Sequence, residues 1–418
     1  MRVRHICFMV PVFFIVILCF SINHSSGKQA GDNNVDTGAA RFPSFVKNRE
    51  LAVSARPGRQ RVRSFPRRSI YSVPKIVETP PNVVAFPHKT SIDQFDSENA
   101  RKLADAIKGM RNSTRHYNLP SCKDWTEAGV LNADGTQLLT GSNAKDGRAR
   151  LYDLEAKKVI GEMQMPKTGP VRDTAFHPTL PLLFSSDTTP ILYAWNAETF
   201  EKVAEYVLLP ENKIVRLAFA ADGTGIAGTD QGRLLLWDAK TGKLIKEFAQ
   251  EHKGGIRDIA FHPNGKTFAT AGVDGSIRVW DTGKTASILA IPNAAKRDLF
   301  CIKYSPCGNV LAVTAKWDDP YTWIYDARSG EKLANYGGYG KSIRSVNFSP
   351  DGRYLITGDV DYLTVIWDIK TKEPVWADKR NMGNHVYRVM FTPKQDFVVV
   401  ISGYGPSLFA MPETMKRP

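Results

Sequence analysis

Cysteine is scarce in this chain. Five occur in 418 residues, and two of them, Cys7 and Cys19, belong to an apolar run near the amino terminus. The other three, Cys122, Cys301 and Cys307, include no CxxC pair, so neither a disulfide framework nor a cysteine-based metal site is encoded. Cys301 falls in an expected strand, where free cysteine behaves as a small buried hydrophobe. The eight histidines are scattered, and no HExxH or GxSxG sequence occurs. His177 and His262 stand at the same turn position of two repeats, each followed by proline, which marks a repeat feature and not a ligand pair. The segment Gly337-Gly338-Tyr339-Gly340-Lys341-Ser342 approaches a phosphate loop, but that motif needs glycine where Asn335 stands. It also opens a helix, whereas this segment joins two strands. The expectation is a chain with no catalytic residues, no cofactor and no metal.

Acidic charge is lacking in one region and apolar length in another. Between residues 41 and 75, ten Lys or Arg face a single acid, Glu50. Pro43, Pro57, Pro66 and Pro74 interrupt the same stretch and Pro80, Pro81 and Pro87 follow it, so residues 28–95 read as a disordered basic linker suited to an anionic surface. Residues 1–120 hold 19 Lys+Arg against 8 Asp+Glu, and the remainder 37 against 34. The remainder is nearly neutral and gives no reason to expect nucleic-acid binding there. Residues 6–20 form an apolar run between Arg2 and Arg4 on one side and Ser21, Ser25, Ser26 and Gly27 on the other. That order is a secretory signal peptide over residues 1–27, which implies a secreted or periplasmic protein. The run falls short of the roughly twenty residues of a spanning helix. An uncleaved signal anchor and a misassigned start are the alternatives. Within 96–111, Ala100, Leu103, Ala104, Ile107 and Met110 recur at spacings of three and four, which predicts one short amphipathic helix.

What is abundant is repetition. An aromatic followed by Asp or Asn occurs at Tyr152, Trp195, Trp237, Trp280, Tyr325 and Trp367, with gaps of 43, 42, 43, 45 and 42 residues. Phe409 lies 42 beyond the last. Each is preceded by an apolar strand and a tight turn such as Ala221-Asp222-Gly223 or Pro263-Asn264-Gly265. Asp-Gly and Asn-Gly supply the positive φ that a two-residue hairpin requires. Seven such units over 113–412, each of four strands, make an all-β seven-bladed propeller of antiparallel blades. Only residues 412–418 follow the last unit, too few for a fourth strand, so residues 114–119 are expected to cross over and close blade 7.

These landmarks resemble the WD-repeat β-propeller family. Blade 4 carries the fullest version: the resemblance implies a buried tetrad of His252, Thr270, Asp274 and Trp280. The other blades lack that histidine, with Cys122, Lys167, Pro210, Ala295, Tyr339 and Met382 at the aligned positions. The resemblance also implies a partner-binding face, where strand 2–3 turns and links between blades surround the channel mouth. There the sequence clusters Trp317, Asp318, Asp319, Tyr321, Tyr339, Lys341, Tyr362, His385 and Tyr404, and aromatic loop residues of this kind make interface hot spots. Arg172, Arg216, Arg257, Arg344 and Arg388 recur near the starts of inner strands and suggest a positive collar at that mouth, though Asp173 and Asp258 adjoin two of them and can pair locally. The expected function is a monomeric protein–protein interaction scaffold, exported or membrane-tethered, that binds a protein or peptide. The alternatives are a propeller enzyme or acidic-ligand binder using the collar, and a cytosolic scaffold.

Overall fold

The computed structural model describes residues 97–416, apart from 111–115, 121–124, 144, 167–168, 296–297, 317–318, 340, 380–384 and 404. The leader and linker lie outside the described residues. The rest is a seven-bladed propeller of four-stranded antiparallel sheets. Blades 1 to 6 span 126–164, 173–207, 214–247, 256–291, 299–337 and 343–379. Blade 7 spans 386–410 and takes its outermost strand, His116–Asn118, from the amino-terminal side. That strand pairs His116 with Phe409 and Asn118 with Ser407, and the Leu119 N–H continues the ladder to the Pro406 carbonyl at 3.0 Å. The last edge of the ring is thereby covered.

The repeated phrases act locally. In the first hairpin of blade 4, Asn264 Oδ1 accepts the N–H groups of Lys266 (2.9 Å) and Thr267 (3.2 Å). The acid after each aromatic closes the next turn: Asp238 accepts from Thr241 N–H at 2.8 Å, Asp326 from Ser329 at 2.7 Å and Asp368 from Thr371 at 3.0 Å. These recurring acids are turn caps of the Asx type.

Each sheet has two apolar faces, so the core lies between blades. Seven clusters of buried residues fill the seven interfaces. Inner strands are also fastened across alternate interfaces by a side chain that accepts a backbone N–H of the next blade. Asp173 takes Leu217 N–H (2.8 Å), Asp258 takes Ile302 N–H (3.0 Å) and Ser345 takes Val389 N–H (3.1 Å). Cys301 is fully buried in the blade 5–6 core, where burial pushes its thiol pKa up.

Helix α1, Ser97–Gly109, packs against the outer strand of blade 6. Its Ile107 is buried beside Leu363 and Ala377 in the blade 5–6 core, and Leu103 and Met110 flank it. So short a helix is marginal alone, and this apolar face is what holds it. Among the described residues no helix is long and apolar enough to cross a membrane.

Candidate functional site

In each blade the start of strand 1 pairs with the end of strand 2, and the start of strand 3 with the end of strand 4, as Ile343 with Asp359 and Leu363 with Lys379 show. Links and 2–3 turns therefore share one edge of every sheet. On that edge blade 4 is closed by hydrogen bonds. Trp280 Nε1–H donates to Thr270 Oγ1 (2.9 Å), which lies 2.7 Å from His252 Nε2; His252 Nδ1 is 3.2 Å from Asp274 Oδ1. A neutral imidazole that donates from Nδ1 and accepts at Nε2 completes a one-way chain from Trp280 to Asp274. Burial works upward on the Asp274 pKa, but hydrogen bonds from His252, Ser276 and the Lys253 N–H outweigh it and hold the acid well below its usual range.

The other blades solve the same position differently. Trp195 donates to Ser185 Oγ (2.8 Å) and Trp367 to Thr357 Oγ1 (3.0 Å). Blade 3 has Ala227 ten residues before its tryptophan, and among the described residues the Trp237 N–H has no partner. Where tyrosine replaces tryptophan, its longer reach finds a backbone carbonyl: Tyr152 bonds Pro120 (3.0 Å) and Tyr325 bonds Ala294 (2.8 Å).

Blade 6 departs furthest. Tyr339, at the histidine position, stacks on Trp367 at 6.0 Å and 15°. Its hydroxyl is buried and makes no hydrogen bond among the described residues. Burial drives its pKa well above the tyrosine value and the charge of Asp359 adds to the rise, opposed by the Thr357 hydroxyl, which faces it beyond hydrogen-bond distance. Asp359 is 1% exposed, and its Oδ1 accepts the N–H groups of Asp361 and Leu363, both at 2.8 Å. Burial raises the Asp359 pKa to about 6, opposed by those backbone bonds and by Lys379. Asp187 of blade 2 stands at the same offset, and there the second oxygen receives the Tyr193 hydroxyl at 3.3 Å. In blade 6 the residue matching Tyr193 is Val365, which has no hydroxyl to give. A cavity of about 130 Å³ opens at this point, lined by Ala104, Ile107 and Lys108 of α1 and by Tyr339, Lys341, Asp359, Asp361, Leu363, Ala377 and Lys379.

The expected docking residues divide into four groups. Tyr339 and Lys341 meet at the cavity. Asp319 is a turn acid, with Oδ1 accepting Tyr321 N–H (3.1 Å) and Oδ2 accepting Trp323 Nε1–H (2.9 Å); Tyr321 in turn packs on the Trp323 ring. Tyr362 holds the left-handed conformation (φ 69°) that Gly275 holds in blade 4, and His385 Nδ1 lies 2.6 Å from the Val360 carbonyl. Trp317, Asp318 and Tyr404 lie outside the described residues. Tyr339 differs from the docking reading, because its ring is an internal wall of blade 6.

The five-arginine collar needs correction. Arg216 donates to the carbonyls of Arg257, Val215 and Arg172, and Arg388 approaches Asp258 at 3.9 Å. Arg257 pairs with Asp298 at 2.7 Å, and Arg344 lies over the rings of Tyr387 (4.3 Å) and Phe300 (5.2 Å). Among the described residues only Arg257 and Arg388 of the five have an ion pair, and Arg172 has neither an ion pair, a carbonyl bond nor a ring contact from its guanidinium. Asp258 also binds Lys303 at 2.7 Å; burial works upward on its pKa, but the charges of Lys303, Arg388 and Arg216 hold it far below the carboxylate range. Burying like charges unpaired is costly, so the inner strands supply their own counter-ions.

Asp359 was missed because a sequence reading treats each blade's loop as exposed. The signal was an acid two residues beyond the strand hydroxyl of Thr357, where blade 4 has Gly272.

The family profile described as WD domain, G-beta repeat, matches residues 242–281 and 330–368. The chain is similar to pre-mRNA-processing factor 17 of Homo sapiens, 23% identical over 243 residues, 55% of this chain and 40% of that protein. WD repeat-containing protein 1 of Rattus norvegicus is 26% identical over 200 residues, 46% of this chain and 32% of its own. Cilia- and flagella-associated protein 52 of Sus scrofa is 26% identical over 242 residues, 54% of this chain and 37% of its own. The match spans less than half the length of each of these relatives.

Proposed function

Since this chain belongs to the WD-repeat β-propeller family, whose members act generally as protein-interaction scaffolds, we propose that it is a non-catalytic docking platform for a protein or peptide. The contact face is the edge where links and 2–3 turns of blades 4 to 7 meet. One observation carries this reading. Of the channel-strand cations, Arg257, Lys303 and Arg388 are engaged with acids, Arg216 with carbonyls and Arg344 with aromatic rings, whereas Tyr321, Lys341, Tyr362 and His385 stand partly or fully exposed on that edge. The relatives bear names as different as pre-mRNA processing and cilia, which supports a shared architecture and leaves the partner to this chain's own surface. The leader pattern supports placement of the platform outside the cytosol, secreted or tethered, with the basic linker against an anionic surface.

Chemical crosslinking in the native source, followed by capture with variants of confirmed fold, tests the platform. Tyr321→Ala and Lys341→Glu should lose partner, whereas Ile245→Ser and Ile288→Ser on the outer perimeter should keep it. The reverse pattern would remove the face assignment. Sequencing of the mature amino terminus tests export: a start near residue 28 supports it, and intact Met1 in a soluble cytosolic pool contradicts it.

Arg172 favours a second reading, an acidic ligand at the channel. If Arg172→Ala and Arg344→Ala abolish capture in a salt-dependent manner while the face variants retain it, that reading replaces the first.

A further inference from the structure

A buried hydroxyl without a hydrogen bond and a carboxylate that uses one of its two oxygens belong to residues lining one cavity. The Tyr339 hydroxyl makes no hydrogen bond among the described residues, and Asp359 spends both of its bonds on Oδ1, leaving Oδ2 without one. Such groups cost free energy unless something satisfies them. Around them the walls are apolar: Ala104 and Ile107 from α1, Leu363 and Ala377 from blade 6. At the rim Lys379 is neutralised by Asp361 at 2.8 Å, and Lys108 lies 3.6 Å from Asp105. Lys341 is exposed and has no ion pair among the described residues. What Asp359 Oδ2 and the Tyr339 hydroxyl lack is a single donor group that can reach both at once.

Resting on the docking face proposed above, we propose that this cavity receives an arginine side chain of the partner protein, its guanidinium bonded to Asp359 Oδ2 and the Tyr339 hydroxyl. Arginine fits better than lysine, because its planar fork donates to two acceptors at once and sheds water more readily. Its methylene stem lies along Ile107 and Leu363, as long cationic side chains do on apolar walls. The rim lysines oppose entry weakly, since exposed charges are screened by solvent while the Asp359 charge is not. Lys341 is the natural competitor for the same carboxylate.

The full-length protein, labelled at its Ile, Leu and Ala methyls, is titrated with N-acetyl-arginine amide and followed by NMR. Saturable shifts are expected at Ile107, Leu363 and Ala377, and none with N-acetyl-citrulline amide, which has the shape without the charge. Binding should strengthen as pH rises through about 6, where Asp359 ionises. The charged or titratable groups facing Asp359 are Tyr339, Lys341, Asp361 and Lys379 on blade 6 and Lys108 on α1. Asp359→Asn should weaken binding about tenfold or more, Tyr339→Phe severalfold, and Lys341→Ala should strengthen it. Equal response to arginine and citrulline, full binding by Asp359→Asn, or a cavity that takes only water overturns the proposal. If face variants lose partner while the probe never binds, the docking face stands and this inference alone falls.

Discussion

Blades 4 and 6 put different residues at the same offsets from their tryptophans. Twenty-eight residues before the aromatic stands His252 in one and Tyr339 in the other; eight before it stand Gly272 and Asp359. The two pairs exclude each other. A Cβ on Gly272 would come within 2.4 Å of His252 Nδ1, so the histidine network exists only because that residue has no side chain. In blade 6 a carboxylate fills the space, no histidine fits, and an aromatic ring stacked on Trp367 takes its place. Blade 4 is thus satisfied from within. Blade 6 is left with an orphan hydroxyl, a carboxylate raised to about 6 and a cavity that α1 only partly covers.

The sharpest way to break this contrast is to remove the strand hydroxyl from each blade. Thr270→Val strands both His252 Nε2 and the Trp280 N–H and should cost about 3 kcal/mol. Thr357→Val strands mainly the Trp367 N–H and should cost about 1–2 kcal/mol. Denaturant melts measure both, and equal losses would mean that blade 4 holds no special network.

Next in size is the exchange of solutions. Tyr339→His alone should destabilise by about 2 kcal/mol, because Asp359 occupies the imidazole site. Adding Asp359→Gly should recover roughly 1 kcal/mol or more of that loss, a coupling that a double-mutant cycle reads directly. Strict additivity would show that the two positions are independent.

The acids should give opposite pH slopes. Asp359 binds its proton more tightly folded than unfolded, so its stability cost is absent below about pH 4, grows as pH rises, and is complete above about 6. Asp359→Asn should therefore be more stable than wild type above that pH, by about 3 kcal/mol, and equal to it in acid. Asp274 is held below its usual range, so its contribution is present above about pH 4 and is lost as pH falls. Melting temperatures of both Asn variants across the acid range check the two signs; parallel slopes would contradict the assignment. Smallest of all is the perimeter: Ile288, 46% exposed on the outer strand of blade 4, should tolerate Ser within about 0.5 kcal/mol.

Most of the fold was legible because it repeats. Trp237, Trp280 and Trp367 fix the register, Asn264 and Asp351 mark the hairpins, and the closing strand at His116–Asn118 falls within the expected residues 114–119. The site was legible only where one residue's role is set by its own blade, as with His252 and Asp274. Arg216 and Arg388 misled because the groups that engage them, the Arg172 and Arg257 carbonyls and Asp258, belong to other blades and meet them only in the closed ring. Asp359 escaped for a related reason: its unpartnered oxygen follows from Val365 standing where blade 2 has Tyr193, and the cavity wall comes from α1, some 250 residues away in sequence.

The central claim is that blade 6 gives up internal hydrogen bonds and keeps their groups for a partner. The double variant Tyr339→His/Asp359→Gly, which gives blade 6 the residues of blade 4, tests it most directly when its thermal unfolding and its affinity for N-acetyl-arginine amide are measured together. A cooperatively folded protein that no longer binds the probe is the expected result. A cooperatively folded protein that binds it as tightly as wild type would contradict the claim.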